Sequence, residues 1–471
     1  MNIKTRFAPS PTGFLHIGNI RTALFSWLYA KKYNGEFIIR IDDTDKERNL
    51  KTYTNNITYI LNWLNIKSDK KLIFQSKRLR TYKLIMEKLI QEKKAYKCFC
   101  SKDRLTKLKN EQIINTGKIK YDGFCKRNQL QKGDFVIRIN TENYKEIVFD
   151  DCVKGKITVT NSEIDDFIIA KNDFYPTYNF ASVIDDIEFS ITDIIRGEDH
   201  ISNTPKQIII FKLLNEKIPT FSHLPMILDE NKKTLSKRDK DSNINYYKKC
   251  GFLPEAILNY IVRLGWSNKD KEIFTIKEMI DLFDIKNINT APSIMNKSKL
   301  IWLNKHYIKT LETKKIIREI INIEKNFNLN YMIGPNLTEL INFAKFKVNT
   351  LEDIITNYTF FYKENIKIED ELLKLFFSDK IIKIIENLYT NLKTFNLKWN
   401  IENIKIFISN IINENKTTFI ELAPTIRIII TGKNISLSTY ELIFLTGKIL
   451  LLKKIRNIIK QYENGAIAQI G

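Results

Sequence analysis

The chain has 471 residues, with 76 Lys and Arg against 54 Asp and Glu, a formal net charge of +22 at pH 7 and a pI near 9.4. That length has room for several domains with substantial cores, and no run of about 18 apolar residues occurs, so a membrane-spanning helix is not expected. Five cysteines without an even framework suit reduced thiols and a cytoplasmic protein.

The first strand starts almost at once, which leaves no space for a signal or transit segment. Thr5 to Ala8 reads as a short buried strand, and Pro9, Pro11 and Gly13 break it into a loop. A helix is predicted from Gly18–Asn19, with Ile20, Ala23, Leu24, Trp27 and Leu28 on one face. Glu36 to Ile41 reads as a fully buried parallel strand that ends in Asp42-Asp43-Thr44-Asp45. Strand, loop, helix and strand make a βαβ unit, and such sheets bind ligands beyond the carboxyl ends of their strands. That end holds Ser10, His16, the amides near Gly18, and Asp42. Amides at a helix start suit phosphate oxygens, and a carboxylate suits an ammonium or a sugar hydroxyl.

Helical periodicity follows over Thr52–Leu64 and Thr81–Gln91. From about 97 the pattern changes to short β-branched and aromatic runs at 135–139, 147–149 and 157–159, which predict an α+β insertion. The sheet is expected to resume with strands over Asn179–Ile184 and Asp193–Arg196. A helix over Thr204–Leu214 then carries Pro205 in its first turn, where no amide hydrogen is needed. From about 311 the pattern is helical nearly throughout, with stripes such as Ile381, Ile384, Ile385 and Leu388, and Leu442, Leu445, Ile449 and Leu452.

Three motifs occur in order: His16-Ile17-Gly18-Asn19, Arg196-Gly197-Glu198-Asp199-His200 and Thr234-Leu235-Ser236-Lys237-Arg238. Together they resemble the class I aminoacyl-tRNA synthetases, and among them the bacterial glutamyl-tRNA synthetase family. The resemblance runs from Arg6 to about Tyr260 with specific motifs and more loosely to the C-terminus. It implies an α/β fold: a Rossmann-like doubly wound parallel sheet catalytic domain over 1–96 and 177–228, with the insertion at 97–176 gripping the acceptor end of tRNA. A linking, stem-contacting segment spans 229–310. An all-α anticodon-binding region fills 311–471, in two subdomains divided near 375. The implied reaction joins L-glutamate to tRNA(Glu) through a glutamyl-adenylate, with ATP and Mg2+, in a monomer with no membrane partner. The excess of positive charge suits tRNA, since cations that neutralise phosphates release counterions. An AT-rich coding composition would produce an equally basic solvated surface.

Neither chemical step needs a covalent protein intermediate, so cations must sit where negative charge develops. The resemblance assigns that role to His16 and Lys237, with Ser10, Gly18, Asn19, Ser236 and Arg238 also around ATP. It places Arg6, Ala8, Ser10, Asp42, Tyr178 and Arg196 around glutamate. Asp42 would take the ammonium, while Arg6 and Arg196 take carboxylates with a planar fork. Asp199 falls in the adenosine and acceptor-end neighbourhood. Plainer roles stand beside these: Lys237 in an exposed basic turn, Asp199 as a cap, and Arg196 paired with Glu198 or Asp199. Two positions depart from the family pattern, Asp42 where glutamate is usual and Thr234 where lysine is usual. Aspartate at 42 also occurs in glutaminyl relatives.

Cys98, Cys100 and Cys125 resemble the zinc knuckle of one branch, which completes it with a histidine two residues after the third cysteine. Here that residue is Arg127, and structural zinc wants four closed ligands, so no metal is expected. Three alternatives stay open. A glutaminyl-type or non-discriminating synthetase would share the chemistry, but a glutaminyl enzyme carries a β-rich anticodon region. A tRNA-modifying relative would stop before about residue 310. A non-catalytic tRNA-binding paralogue would be expected to lose His16, Lys237 or the amino-acid pocket.

Overall fold

The structure is a computed structural model that describes residues 2–45, 50–116, 119–128, 133–160, 163–234, 243–323, 333–434 and 437–463. The chain forms two compact units, one of Met1–Lys248 with Pro254–Leu303, the other of Lys249–Leu253 with Asn304–Gly471.

Among the described residues the first unit has twelve strands in three sheets: β1 (Lys4–Phe7), β2 (Glu36–Ile41), β3 (Ile73–Phe74), β4 (Ala95–Cys98), β5 (Val136–Ile139), β6 (Glu146–Asp151), β7 (Gly155–Thr160), β8 (Ile168–Ala170), β9 (Asp193–Gly197), β10 (Thr220–Leu224) and a small parallel pair, β11 (Ile227–Leu228) with β12 (Ser293–Ile294). The main sheet runs β3-β2-β1-β9-β10-β6-β7, parallel except for the last pair. Its central strands are buried along almost their whole length, as parallel strands covered on both faces must be. Helix Ile17–Lys32 crosses from β1 to β2 and buries Ile20, Ala23, Leu24, Phe25 and Leu28. Each large apolar side chain so buried contributes about 1.5–3 kcal/mol relative to exposure. Beyond β1 the order reverses, because β2 lies on one side and β9 on the other, and a crevice opens at that switch point.

One local expectation fails. Residues 179–184 are not a strand but part of helix Tyr178–Glu188. Every residue from Phe180 to Asp186 is buried, the apolar ones in the core and Ser182, Asp185 and Asp186 against arginines, so the helical period is erased from the sequence. The hairpin β6–β7 joins the main sheet through β10, where Phe221 is in register with Asp151. Only β4, β5 and β8 form the separate antiparallel sheet, so the segment between the two halves feeds both sheets.

The second unit is helical throughout its described residues beyond Asn304. Ile384, Ile385 and Leu388 face its core, with Ile381 half-buried. The last stripe is interrupted. Helix Thr439–Glu463 kinks at Gly447, whose φ of 74° only glycine adopts freely, and Ile449 is left exposed while Leu450, Leu451, Ile455 and Ile458 are buried.

Candidate active site

A cavity of about 290 Å³ opens at the switch point. Its walls are the carboxyl ends of β1 (Arg6 to Ala8), β9 (Ile195 to Gly197) and β10 (Leu224), together with the start of helix Ile17–Lys32 and Tyr178. His16 is the residue before that helix, and its N–H donates to Asn19 Oδ1 at 3.1 Å. Gly18 matters sterically: a Cβ there would stand 3.0 Å from two atoms of the His16 ring. The missing side chain lets the imidazole lie against the helix start, where it takes the Asn19 amide while Asn19 Oδ1 takes the His16 amide, a reciprocal cap.

The structure brings Arg6, Ala8, His16, Gly18, Asn19, Tyr178, Arg196 and Asp199 around this one cavity. Ser10 is exposed and outside the lining, and Asp42 is buried behind it. Ser236, Lys237 and Arg238 lie outside the described residues. Asp199 is exposed, and its carboxylate folds towards Gly197, where a Cβ would stand 2.3 Å from Oδ1.

Behind the cavity lies a buried ionic cluster. Arg40 binds Asp42 (Nε to Oδ1, 2.7 Å) and Asp186 (2.7 Å), and Arg6 binds Asp186 at 3.2 Å. Arg78 and Tyr82 complete it on Asp185. Burial opposes charge throughout. Even so, Asp42, Asp186 and Asp185 outweigh it and hold Arg40 well above its usual range. Burial pushes the Asp42 carboxyl up to about 6, although Arg40 resists. Asp186 stays below the usual carboxylate range because Arg6 and Arg40 overcome its burial.

Arg196 is treated differently. Its guanidinium donates to His223 Nε2 (3.1 Å), Gln207 Oε1 (2.8 Å) and Thr204 Oγ1 (2.6 Å), none of them charged acceptors. No carboxylate pairs with it within 4.0 Å among the described residues, neither Glu198 nor Asp199. Glu198 instead binds Lys154 and the Met226 amide. Burial draws Arg196 down to about 10, still cationic at neutral pH. A buried cation with neutral partners keeps an uncompensated charge, which an anion would relieve.

The sequence reading missed the supports: Asp186 behind Arg6, and Asp151, His223, Gln207 and Thr204 behind Arg196. It also missed Arg21, buried in the wall with Nη1 on Leu264 O (3.2 Å) and Nη2 on Pro225 O. The one sequence signal was that His223 is among only four histidines.

The thiols of Cys98, Cys100 and Cys125 converge, their sulfurs within 4.8 Å of one another. Arg127 is exposed and donates to Asp122 O. The Tyr121 hydroxyl stands 3.4 Å from both Cys98 Sγ and Cys100 Sγ. A phenol oxygen thus stands against two of the three sulfurs and takes the backbone amide of Cys125, where the sequence showed only three thiols.

Residues 2–302 match the family described as tRNA synthetases class I (E and Q), catalytic domain, and residues 303–459 match the anticodon binding domain. The chain belongs to the class I tRNA synthetases of the glutamate and glutamine group. It is 42% identical over 463 residues to the glutamate–tRNA ligase of Wigglesworthia glossinidia brevipalpis, covering 98% of each chain. Identity to that of Francisella philomiragia is also 42%, over 470 residues, covering 98% of this chain and all of the relative. The crystal structure of the glutamate–tRNA ligase of Elizabethkingia meningosepticum, in complex with its amino acid, superposes with a TM-score of 0.82 at 27% identity, covering 98% of this chain and 99% of that one. In this chain the Rossmann-like half that matches the catalytic domain precedes the helical half that matches the anticodon binding domain. No described helix is long and apolar enough to cross a membrane.

Proposed function

We propose that this synthetase attaches L-glutamate to the 3′ end of tRNA(Glu) through a glutamyl-adenylate. The observation that carries the reading is Arg196, a buried guanidinium in the cavity wall with only neutral partners. A γ-carboxylate satisfies that charge, whereas the amide of glutamine leaves it imperfectly paired. Arg6 and Tyr178 line the same space, and Asp42 acts on the ammonium end from behind the wall. ATP, carrying Mg2+, sets its phosphates on His16 and the helix start at Gly18 and Asn19. Lys237 supplies the mobile cation that its motif implies.

The segment 97–176 holds the acceptor end, 229–310 touches the stem, and the helical region from 311 takes the anticodon. The enzyme works in the cytoplasm as a monomer. Cys98, Cys100, Cys125 and Tyr121 fit a single structural zinc ion, because three soft thiols and one phenol oxygen are already gathered. ATP–pyrophosphate exchange tests the reading, with glutamate or glutamine, and with or without tRNA. Exchange supported by glutamate and at least tenfold less by glutamine is expected. A preference for glutamine would overturn it.

A further inference from the structure

Behind Arg196 a chain of contacts leads out of the cavity. Arg196 Nε meets His223 Nε2 at 3.1 Å, and His223 Nδ1 meets Asp151 Oδ2 at 2.6 Å. Both His223 and Asp151 side chains are wholly buried. The three residues come from distant parts of the chain: Arg196 from β9, His223 from the neighbouring β10, and Asp151 from the end of β6.

A neutral imidazole has one donor and one acceptor nitrogen. Arginine can only donate, so the nitrogen facing it must accept; an ionised carboxylate can only accept, so the nitrogen facing it must carry the proton. The two neighbours therefore demand the same tautomer. Charge balance agrees. Burial holds the His223 imidazole below its usual range, and Asp151 is kept ionised against its own burial by His223 and by the Lys154 and Val153 amides. Asp151 is itself immobilised, since Oδ1 accepts from Val153 N (2.9 Å), Lys154 N (2.8 Å) and His223 N (3.2 Å).

We propose that Asp151 and His223 are positioning residues that aim the Arg196 guanidinium, and through it decide how strongly glutamate is preferred to glutamine. The inference rests on the reading of Arg196 given above. With Nε held by His223 and one hydrogen of each terminal nitrogen held by Gln207 and Thr204, three of five N–H groups are taken. The remaining two, one on each terminal nitrogen and shared with the Tyr178 hydroxyl, make the end-on fork that a carboxylate accepts in two parallel bonds. Rotation of the guanidinium spoils that fork while leaving its charge in place.

Asp151→Asn separates geometry from bulk. Its amide nitrogen must face either three backbone N–H groups or His223 Nδ1. The second arrangement is the less unfavourable, and it moves the imidazole proton to Nε2, donor against donor at Arg196. In pyrophosphate exchange the expected result is a KM for glutamate raised about tenfold, with kcat and the KM for ATP within about twofold, and a glutamate-to-glutamine preference reduced by the same factor. His223→Leu should behave alike, and His223→Gln, which keeps an acceptor towards Arg196, should restore most of the preference. Equal losses for both amino acids, a raised KM for ATP, or a His223→Gln variant no better than His223→Leu would overturn the proposal. Arg196→Gln separates the two layers. If it leaves the preference intact, the reading of Arg196 fails. If it narrows the preference while Asp151→Asn and His223→Leu do not, only the positioning role fails.

Discussion

Arg40 Nε and Asp42 Oδ1 are 2.7 Å apart, two residues along one chain segment, and both side chains are almost wholly buried. The carboxylate expected to meet the glutamate ammonium is thus already engaged by Arg40 of the preceding strand and held in a fixed position behind the cavity lining.

Asp42 consequently makes stability depend on pH. Its folded value of about 6 lies above the ordinary 3.8, so between these values the folded chain holds a proton that the unfolded chain has released. This contribution favours folding at the acid end and is lost as pH rises through about 6. Asp42→Asn removes the dependence. The melting temperature of the variant relative to the wild type should therefore rise from pH 4.5 to pH 7.5, by the equivalent of roughly 2–3 kcal/mol. A constant difference between the two proteins would refute the assignment.

Lys237 belongs to the basic motif at 234–238. If it stabilises charge developing on the phosphates, Lys237→Ala should slow glutamate activation by about 10²–10³, the usual loss for one preorganised donor. Affinity for tRNA should barely change. An unaltered kcat in pyrophosphate exchange would remove Lys237 from the mechanism.

Zinc is testable by elemental analysis of protein purified without chelator. About one ion per chain is expected if Tyr121 acts as the fourth donor. Cys98→Ser should lose both metal and thermal stability, and Tyr121→Phe should weaken retention of the ion in a chelator titration. A metal-free wild type would return the three thiols to the reading the sequence first suggested.

Lys454 is a buried cation of the helical unit, its Nζ donating to Phe360 O (2.9 Å) and Ile430 O (2.8 Å). Burial lowers it from 10.5 to about 7. From pH 7 to 10 the unfolded chain binds more protons at this site than the folded one, so its contribution to stability grows with pH. Calorimetry of the helical unit's transition at pH 7 and pH 9 should show the wild type gaining on Lys454→Met. Parallel behaviour of the two would show that Lys454 carries no penalty.

Legibility followed physics. The βαβ unit at 4–41 was readable because proline, glycine and a run of apolar residues each leave a local signature. Helix Tyr178–Glu188 was not, because its charged residues are buried as deeply as its apolar ones. The motifs pointed to Arg6 and Arg196, but nothing local in sequence marks Asp186, 180 positions from Arg6, or Asp151, 72 from His223. Those partners are defined only by the sheet that brings them together. Gly447 shows the converse: a single residue shifted the phase of a stripe that looked regular.

The central position of β1 also has a bearing on synthesis. Lys4 N is bonded to Thr192 Oγ1, 188 positions away, and Arg6 to Asp186, 180 positions away. At translation rates of 5–20 residues per second, the first strand waits roughly ten to forty seconds for its second neighbour to emerge from the ribosome. Until then the βαβ unit presents an open strand edge and an arginine without its counter-ion, the kind of edge to which other chains add strands. Folding of this half is therefore tied to completion of the 151 residues, 42–192, between its two sheet partners, β2 and β9. The growing chain must be kept from its neighbours over that interval.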